Sequence, residues 1–205
     1  SMWRDGSLFL HVGITLTETL VSFALVVVIG LAVSLLLWLS DSVFQVLEPY
    51  LVILNSLPKS ALAPLLIVWL GANSRTIIVA GMSVAIFGTI LNLYTGFTET
   101  SREKIRLIYT LHGTKKDALT KVVLPSTVPM IISIMKVNIG LCLVGVVIGE
   151  FIGARNGLGY LIIYGSQVFQ LDLVILSILI LCLMAMLLYG GVTAAEKLYH
   201  RRQHA

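Results

Sequence analysis

The side chains with chemistry to offer are few and concentrated. Six of the fourteen Lys and Arg residues, Arg102, Lys104, Arg106, Lys115, Lys116 and Lys121, stand in one polar stretch from Thr98 to Pro129. Within it Thr114 and Asp117 are three residues apart, the spacing at which a hydroxyl and a carboxylate cap the start of a helix. Asp117 also suits the positive end of the helix dipole. Its bland reading is an ordinary loop between two membrane helices; against it, ordinary loops seldom carry a capped helix pair. Four further polar side chains, Glu18, Lys136, Asn138 and Glu150, interrupt or border long apolar runs. Charged and amide groups are costly in hydrocarbon, so each must face protein or water. For Lys136, snorkelling toward the cytoplasmic end and a pore-lining place are both open. Asn138 is more often a bond between helices than a ligand.

Catalytic chemistry is not written here. No G-x-x-x-x-G-K-[ST] phosphate loop, no G-x-S-x-G elbow and no His/Cys/Glu cluster with metal-ligand spacing occurs. His11, His112, His200 and His204 are scattered. The reading is a non-enzyme with no catalytic residues, no metal and no cofactor. Cys142 and Cys182 each sit in an apolar run, as small packing residues do.

The elements that must position these residues are membrane helices. Of 205 residues, 58% are hydrophobic and only 12% charged, and mean hydropathy is +0.98. That composition defines a membrane protein. The net charge of +4 carries no aromatic-basic pattern, so nucleic acid is not a partner and lipid is. The spacing predicts an all-α bundle of about five spans: 14–39 with Glu18 near its outer end, 43–70, 76–97, 126–148 and 173–191. The second is broken at Asn55-Ser56-Leu57-Pro58-Lys59-Ser60 and again at Pro64, a kinked span rather than two soluble helices; the two prolines could equally be kinks and nothing more. Gly145, Gly149, Gly153 and Gly157 recur every fourth residue, which lets helix backbones approach closely. Inside the polar stretch, Ile105, Ile108 and Tyr109 mark one short amphipathic helix. Gly113 is expected to end it in the left-handed conformation. A second short helix then starts at Thr114, with Ala118, Leu119 and Val122 on its apolar side.

Basic residues fix the orientation. The polar stretch and the tail with Lys197, Arg201 and Arg202 carry most of them, against Arg75 and Arg155 elsewhere, so residues 98–122 and the C-terminus are expected to be cytoplasmic. Five spans then put the N-terminus outside.

Three stretches resemble one family. Val122-Val123-Leu124-Pro125 resembles the end of the coupling-loop motif of bacterial ABC importer permeases, roughly E-A-A, three residues, G, about nine residues, I-x-L-P. Counting back puts His112 at the usual glycine and Gly113 one place later; Arg106, Leu107 and Ile108 stand where Glu-Ala-Ala would be, a departure from the motif. The segment NSLPKSALAPLLIVWLG, with Trp69 and Gly71, and the block Glu150, Ile152-Gly153-Ala154, Gly157-Leu158-Gly159-Tyr160 resemble the nitrate, sulfonate and taurine branch of these permeases, which also includes importers of pyrimidine and riboflavin precursors. The likeness runs over nearly the whole chain.

The resemblance implies a type I importer permease fold in the bacterial inner membrane, with the family's first helix missing here. It implies one transmembrane domain, 1–205, holding a coupling loop at 98–122 and a basic tail at 192–205. It implies a separate cytoplasmic ATPase that receives the island through His112, Gly113, Thr114, Lys115, Lys116, Asp117, Ala118, Leu119, Leu124 and Pro125. Ala118 and Leu119 would supply the apolar contact, and Lys115, Lys116 and Lys121 the salt-sensitive rim. An extracytoplasmic binding protein and a second permease copy are the other partners. The translocation path would run between the two copies, past Pro58, Lys136, Asn138 and Glu150. The rival functions are an ion-gradient transporter or channel, which would need inverted repeats, and an anchor, which would leave the capped helix unexplained.

Overall fold

The computed structural model describes residues 7–203, apart from the side chains of Arg102 and residues 198–203. Residues 1–6 and His204, and the side chains of His200, Arg201 and Arg202, therefore lie outside the described residues. The rest is helical: α1 (Ser7–Leu39), α2 (Asp41–Ser56), α3 (Lys59–Leu70), α4 (Ser74–Thr98), α5 (Arg102–Thr110), α6 (Lys115–Ala118), a π-helical turn (Leu119–Val123), α7 (Leu124–Gly153), α8 (Leu158–Gln167) and α9 (Leu171–Gln203). Among the described residues four helices are long and apolar enough to cross a bilayer, or five if α2 and α3 together make one span.

The expected spans are present with revised ends. The first helix starts at Ser7 rather than near Ile14. Gly13 does not break it, and the His11 ring has a hydrogen-bond donor waiting in Gly157. The second region is interrupted, not kinked: Leu57 (φ −62°, ψ 139°) and Pro58 (φ −65°, ψ 107°) are both extended. A residue before proline is driven out of the helical region, which places the break at Leu57. Pro64 interrupts nothing, for α3 runs through it.

The chain forms two compact units. The first takes residues up to Leu25, Pro58–Ala85 and Lys136 onward. Its part of α1 carries His11, Thr15, Glu18, Thr19 and Ser22, all buried. Those positions fall on one helical face, and where lipid is the solvent it is the polar face that turns inward. Thr19 and Ser22 return their hydroxyls to carbonyls one turn back, and Ser22 reaches the Ile78 carbonyl at 3.0 Å. The four-residue glycine spacing does what it promised: a methyl group on Gly145 would lie 2.8 Å from the Gly81 Cα, and one on Gly149 3.2 Å from the Ala80 Cβ. An apolar cluster of Leu8, Leu143, Leu158, Leu161 and Met184 fills the remainder.

The second unit, Val26–Leu57 and Ile86–Met135, contains the polar island. Trp38, Leu93, Phe97, Ala118, Leu119 and Val123 form its core. Phe44 and Tyr94 stack with centroids 3.4 Å apart. Lys115 Nζ lies 5.4 Å from the Trp38 ring centroid and 3.8 Å from the Asp41 carboxylate. The island is thereby fastened to the membrane helices of its own unit.

Two features of the island differ from expectation. The left-handed residue is His112 (φ 59°), not Gly113. The His112 amide donates to Tyr109 O at 3.0 Å and the Gly113 amide to Ile108 O at 2.9 Å, the paired bonds of a Schellman motif. Glycine is required at 113 for space instead, because a Cβ there would meet Ile108 Cγ2 at 2.5 Å and its carbonyl oxygen at 2.9 Å. Gly113→Ala is expected to weaken this helix end by about 1–3 kcal/mol. Hydrogen exchange reports it: α5 amides should exchange faster by about tenfold or more, and unchanged protection would contradict the packing.

The second difference is that the Thr114 helix is no separate short element. Lys115–Gly153 is one continuous 39-residue helix. Pro125 has no amide hydrogen and its ring crowds the carbonyl four residues back, and the chain widens into the π turn just ahead of it. Within that turn the Leu124 amide bonds Leu119 O.

Candidate functional site

The start of α6 is built as its residues dictate. The Asp117 amide donates to Thr114 Oγ1 at 3.3 Å, while the Thr114 amide and hydroxyl donate to Asp117 Oδ2 at 2.9 and 2.7 Å. This is a complete capping box. Lys121 Nζ adds an ion pair with Asp117 at 3.1 Å. The Thr114 hydroxyl and amide bonds, followed by Lys121, hold the Asp117 carboxyl well below the usual carboxylate range. A carboxyl whose acidity rises on folding contributes stability that is present above the unfolded value, about 4, and is lost as pH falls through the folded one. Circular dichroism and α6 exchange are therefore expected to be flat from neutral pH down to about 5, with loosening only in stronger acid. Asp117→Asn should abolish that acid dependence, and an unchanged acid profile in the variant would contradict the assignment.

Side-chain burial revises which island residues can meet a partner. Ala118 is 0% and Leu119 7% exposed, both inside the unit's own core. In this structure both side chains are turned to the chain's own core rather than outward. A face at helical spacing must pack on something, and here it packs on Trp38, Leu93 and Phe97. Lys115 likewise turns to Asp41 and Trp38, and Lys121 to Asp117. What faces outward is different: Leu107 is 60%, Tyr109 46% and Leu111 71% exposed, beside exposed His112 and Lys116. Large apolar side chains exposed on a polar loop mark an interaction surface. The sequence signal was there in Leu107 and Leu111, four residues apart; it was overlooked because Ile105 and Ile108 drew the helical face. Gly113 and Leu124 are half-buried, and Pro125 is exposed.

At the other end of the glycine-rich helix a second constellation closes around Glu150. Thr15 Oγ1 donates to Glu150 Oε1 at 2.6 Å, and the Gly159 amide donates to Oε2 at 2.6 Å. The Leu158 amide donates to Thr15 Oγ1 at 2.8 Å, and the Gly157 amide to His11 Nδ1 at 2.9 Å. Three successive amides at the start of α8 are thus satisfied by three side chains from α1 and α7. Helix N-termini leave such donors orphaned, and a carboxylate there also meets the positive end of the dipole. Gly157, at φ 109°, and Gly159 let the loop wrap the carboxyl, since a Cβ on either would strike Glu150.

The other residues expected along a path are placed as follows. Glu150 is 1% exposed and tied on both oxygens, so it fastens α1 and α8 to α7. Lys136 pairs with Glu196 of α9; its charge is compensated within the chain and gives no reason to favour an anionic solute. Asn138 is buried with its amide nitrogen unpartnered, so it does not bond neighbouring helices through that group. Pro58 is exposed. These four belong to the first unit and the island residues to the second.

The class of protein follows from the fold. The chain superposes on a chain of the MetNI methionine ABC transporter in an inward-facing form with a TM-score of 0.80 at 20% identity, over 95% of this chain and 97% of that one. It superposes on a chain of an amino acid ABC transporter with histidines at a TM-score of 0.68, 17% identity and 98% and 97% coverage. This is the all-α fold of type I ABC importer permeases.

The family is equally plain: the chain belongs to the binding-protein-dependent transport system inner membrane component family, whose pattern matches residues 7–203. A probable ABC transporter permease protein of Haemophilus influenzae is 32% identical over 95% of this chain and 78% of its own length. The formylaminopyrimidine transport permease ThiX of Halalkalibacterium halodurans is 29% identical over the same shares. The taurine transport permease TauC of Escherichia coli is 25% identical over 95% and 71%. The chain is therefore a membrane-embedded, non-catalytic permease subunit of an ABC importer. ATP hydrolysis belongs to a separate subunit, and family members work with that ATPase and with a substrate-binding protein.

Proposed function

We propose that this permease receives its ATPase on the face of α5 that carries Leu107 and on the turn after it, with Leu107 and Leu111 as the apolar contact and His112 and Lys116 beside them. The observation that carries this is the pairing of an exposed apolar face with an underside, Ala118, Leu119 and Val123, locked into the unit's own core. A contact so mounted transmits motion rather than absorbing it. His112, Gly113, Thr114 and Asp117 shape the mount, Lys115 and Lys116 border it, and Leu124 and Pro125 join it to α7.

The coupling segment 98–122 and the tail at 192–205 face the cytoplasm in this scheme, as their basic residues favour. Residues 1–205 act as one transmembrane domain, to which α1, α4 and α7 each give residues in both compact units. Two copies in the lipid bilayer enclose the path, and a binding protein delivers the solute to the opposite face. The solute is a small polar molecule of the kind its relatives' names record, taurine, an aliphatic sulfonate, nitrate or a formylaminopyrimidine.

Reconstitution of the permease with its ATPase and binding protein in liposomes tests this. Uptake is expected to require ATP inside and binding protein outside, and to ignore collapse of ion gradients. Gradient-driven uptake by the permease alone would overturn it.

A further inference from the structure

Glu18 stands apart from the other polar groups buried in the first unit. It is 3% exposed, and neither carboxyl oxygen has a hydrogen-bond partner. Its neighbours on the same face of α1 are all provided for: Thr15 by Glu150 and Leu158, Thr19 and Ser22 by carbonyls, His11 by the Gly157 amide. The Ser74 hydroxyl and the Glu150 carboxyl lie within reach of it, but neither closes a hydrogen bond of normal geometry to either oxygen. An orphaned buried acid among satisfied neighbours calls for a ligand that the surrounding side chains do not supply.

The space to hold one is present. Glu18 borders a cavity of about 420 Å³ with Phe9, Leu10, Ile14, Thr17, Ser74 and Ile78. The same carboxyl and Ser74 border an adjoining space of about 160 Å³ that reaches Asn156 and Arg155. Arg155 is exposed and makes no ion pair among the described residues, so it does not neutralise Glu18. The larger cavity has apolar walls and, at one end, a carboxyl with two hydroxyls.

We infer that Glu18 anchors a binding subsite for a small positively charged group, with the hydroxyls of Ser74 and Thr17 as the further oxygen donors in an otherwise apolar lining. An inorganic monovalent cation and the protonated amine of a small solute share that chemistry. The subsite stands on the first unit alone, and holds whether or not the island docks an ATPase.

The test is thermal melting of the full chain in a maltoside detergent, titrated with sodium chloride or methylammonium chloride, with N-methylglucamine chloride holding ionic strength constant. A saturable rise in Tm is expected for the wild type and none for Glu18→Gln. A rise with sodium alone identifies an inorganic cation, and one with methylammonium alone identifies an amine. Ser74→Ala keeps the carboxyl and is expected to weaken the apparent affinity about threefold to tenfold, the scale of one lost polar contact. Infrared difference spectra of the wild type read the carboxyl directly even if Glu18→Gln does not fold: a carboxylate band should shift on adding the cation. No Tm response in the wild type, an equal response in Glu18→Gln, or a protonated-acid carbonyl band that the cations leave untouched would each overturn the subsite.

Discussion

Leu111→Glu is expected to release the ATPase while leaving the permease folded. The side chain is 71% exposed, and although Leu111 caps the end of α5 the substitution leaves the backbone bonds of that turn in place, so a stability change of about 1 kcal/mol or less is expected. A central apolar contact at a protein interface is worth about 2 kcal/mol or more on truncation, and a buried, unpaired carboxylate adds to the loss. Two kcal/mol is about a thirtyfold weakening. Titrated binding of the ATPase to detergent-solubilised permease measures it, with the melting temperature as the control. Leu119→Glu makes the contrast, because Leu119 is only 7% exposed and packs in the core with Trp38 and Phe97. That variant should lose the fold itself. If Leu111→Glu binds like wild type, the docking face lies elsewhere.

The second large effect is expected at Glu150. Replacing it by alanine leaves the Gly159 amide buried and unpaired at about 1–3 kcal/mol, takes the Thr15 hydroxyl's shorter acceptor while leaving it the His11 carbonyl at 3.2 Å, and opens a void among buried atoms. A total of about 3 kcal/mol or more corresponds to a fall in Tm of roughly 6–12 °C for a chain of this size. Glu150→Gln keeps one acceptor oxygen for Gly159 and fills the same volume, so its loss should be smaller. A Glu150→Ala protein that melts with the wild type would show that the knot of α1, α7 and α8 is not what fastens the loop.

What could be read from the sequence was local. The capping box at Thr114 and Asp117 depends on residues three apart, and it formed as written. The glycines at 145 and 149 depend on helical period alone, and they meet α4. Where packing between distant segments decides, sequence reasoning lacked the partner. Ala118 and Leu119 form an apolar face whether it meets another protein or the chain's own Trp38, and nothing local distinguishes the two. Glu150 and Thr15 are 135 residues apart, so the knot that closes the α8 loop left no pattern in either neighbourhood. The helix end at His112 was misplaced for a different reason. Intrinsic preference favours Gly113 for positive φ, but the crowding against Ile108 requires glycine for space and leaves the left-handed place to His112. The continuity of α6 with α7 was hidden by Pro125, which usually marks a boundary and here is accommodated by a π turn.

The ion pair between Lys136 and Glu196 has a consequence for biogenesis. Its two members are 60 residues apart, so the ribosome delivers the lysine to the membrane several seconds before the glutamate exists, at about 5–20 residues per second. In that interval the ammonium has no counter-ion from its own chain, at a cost of up to about 2.5–3.5 kcal/mol that falls the nearer it snorkels to the interface. The helix that contains it is apolar enough to bear that cost alone, but its final seating waits for α9. Synthesis of the last helix thus completes the protein electrostatically as well as sterically, and a nascent chain released before Glu196 leaves the translocon with an uncompensated charge that membrane quality control can recognise.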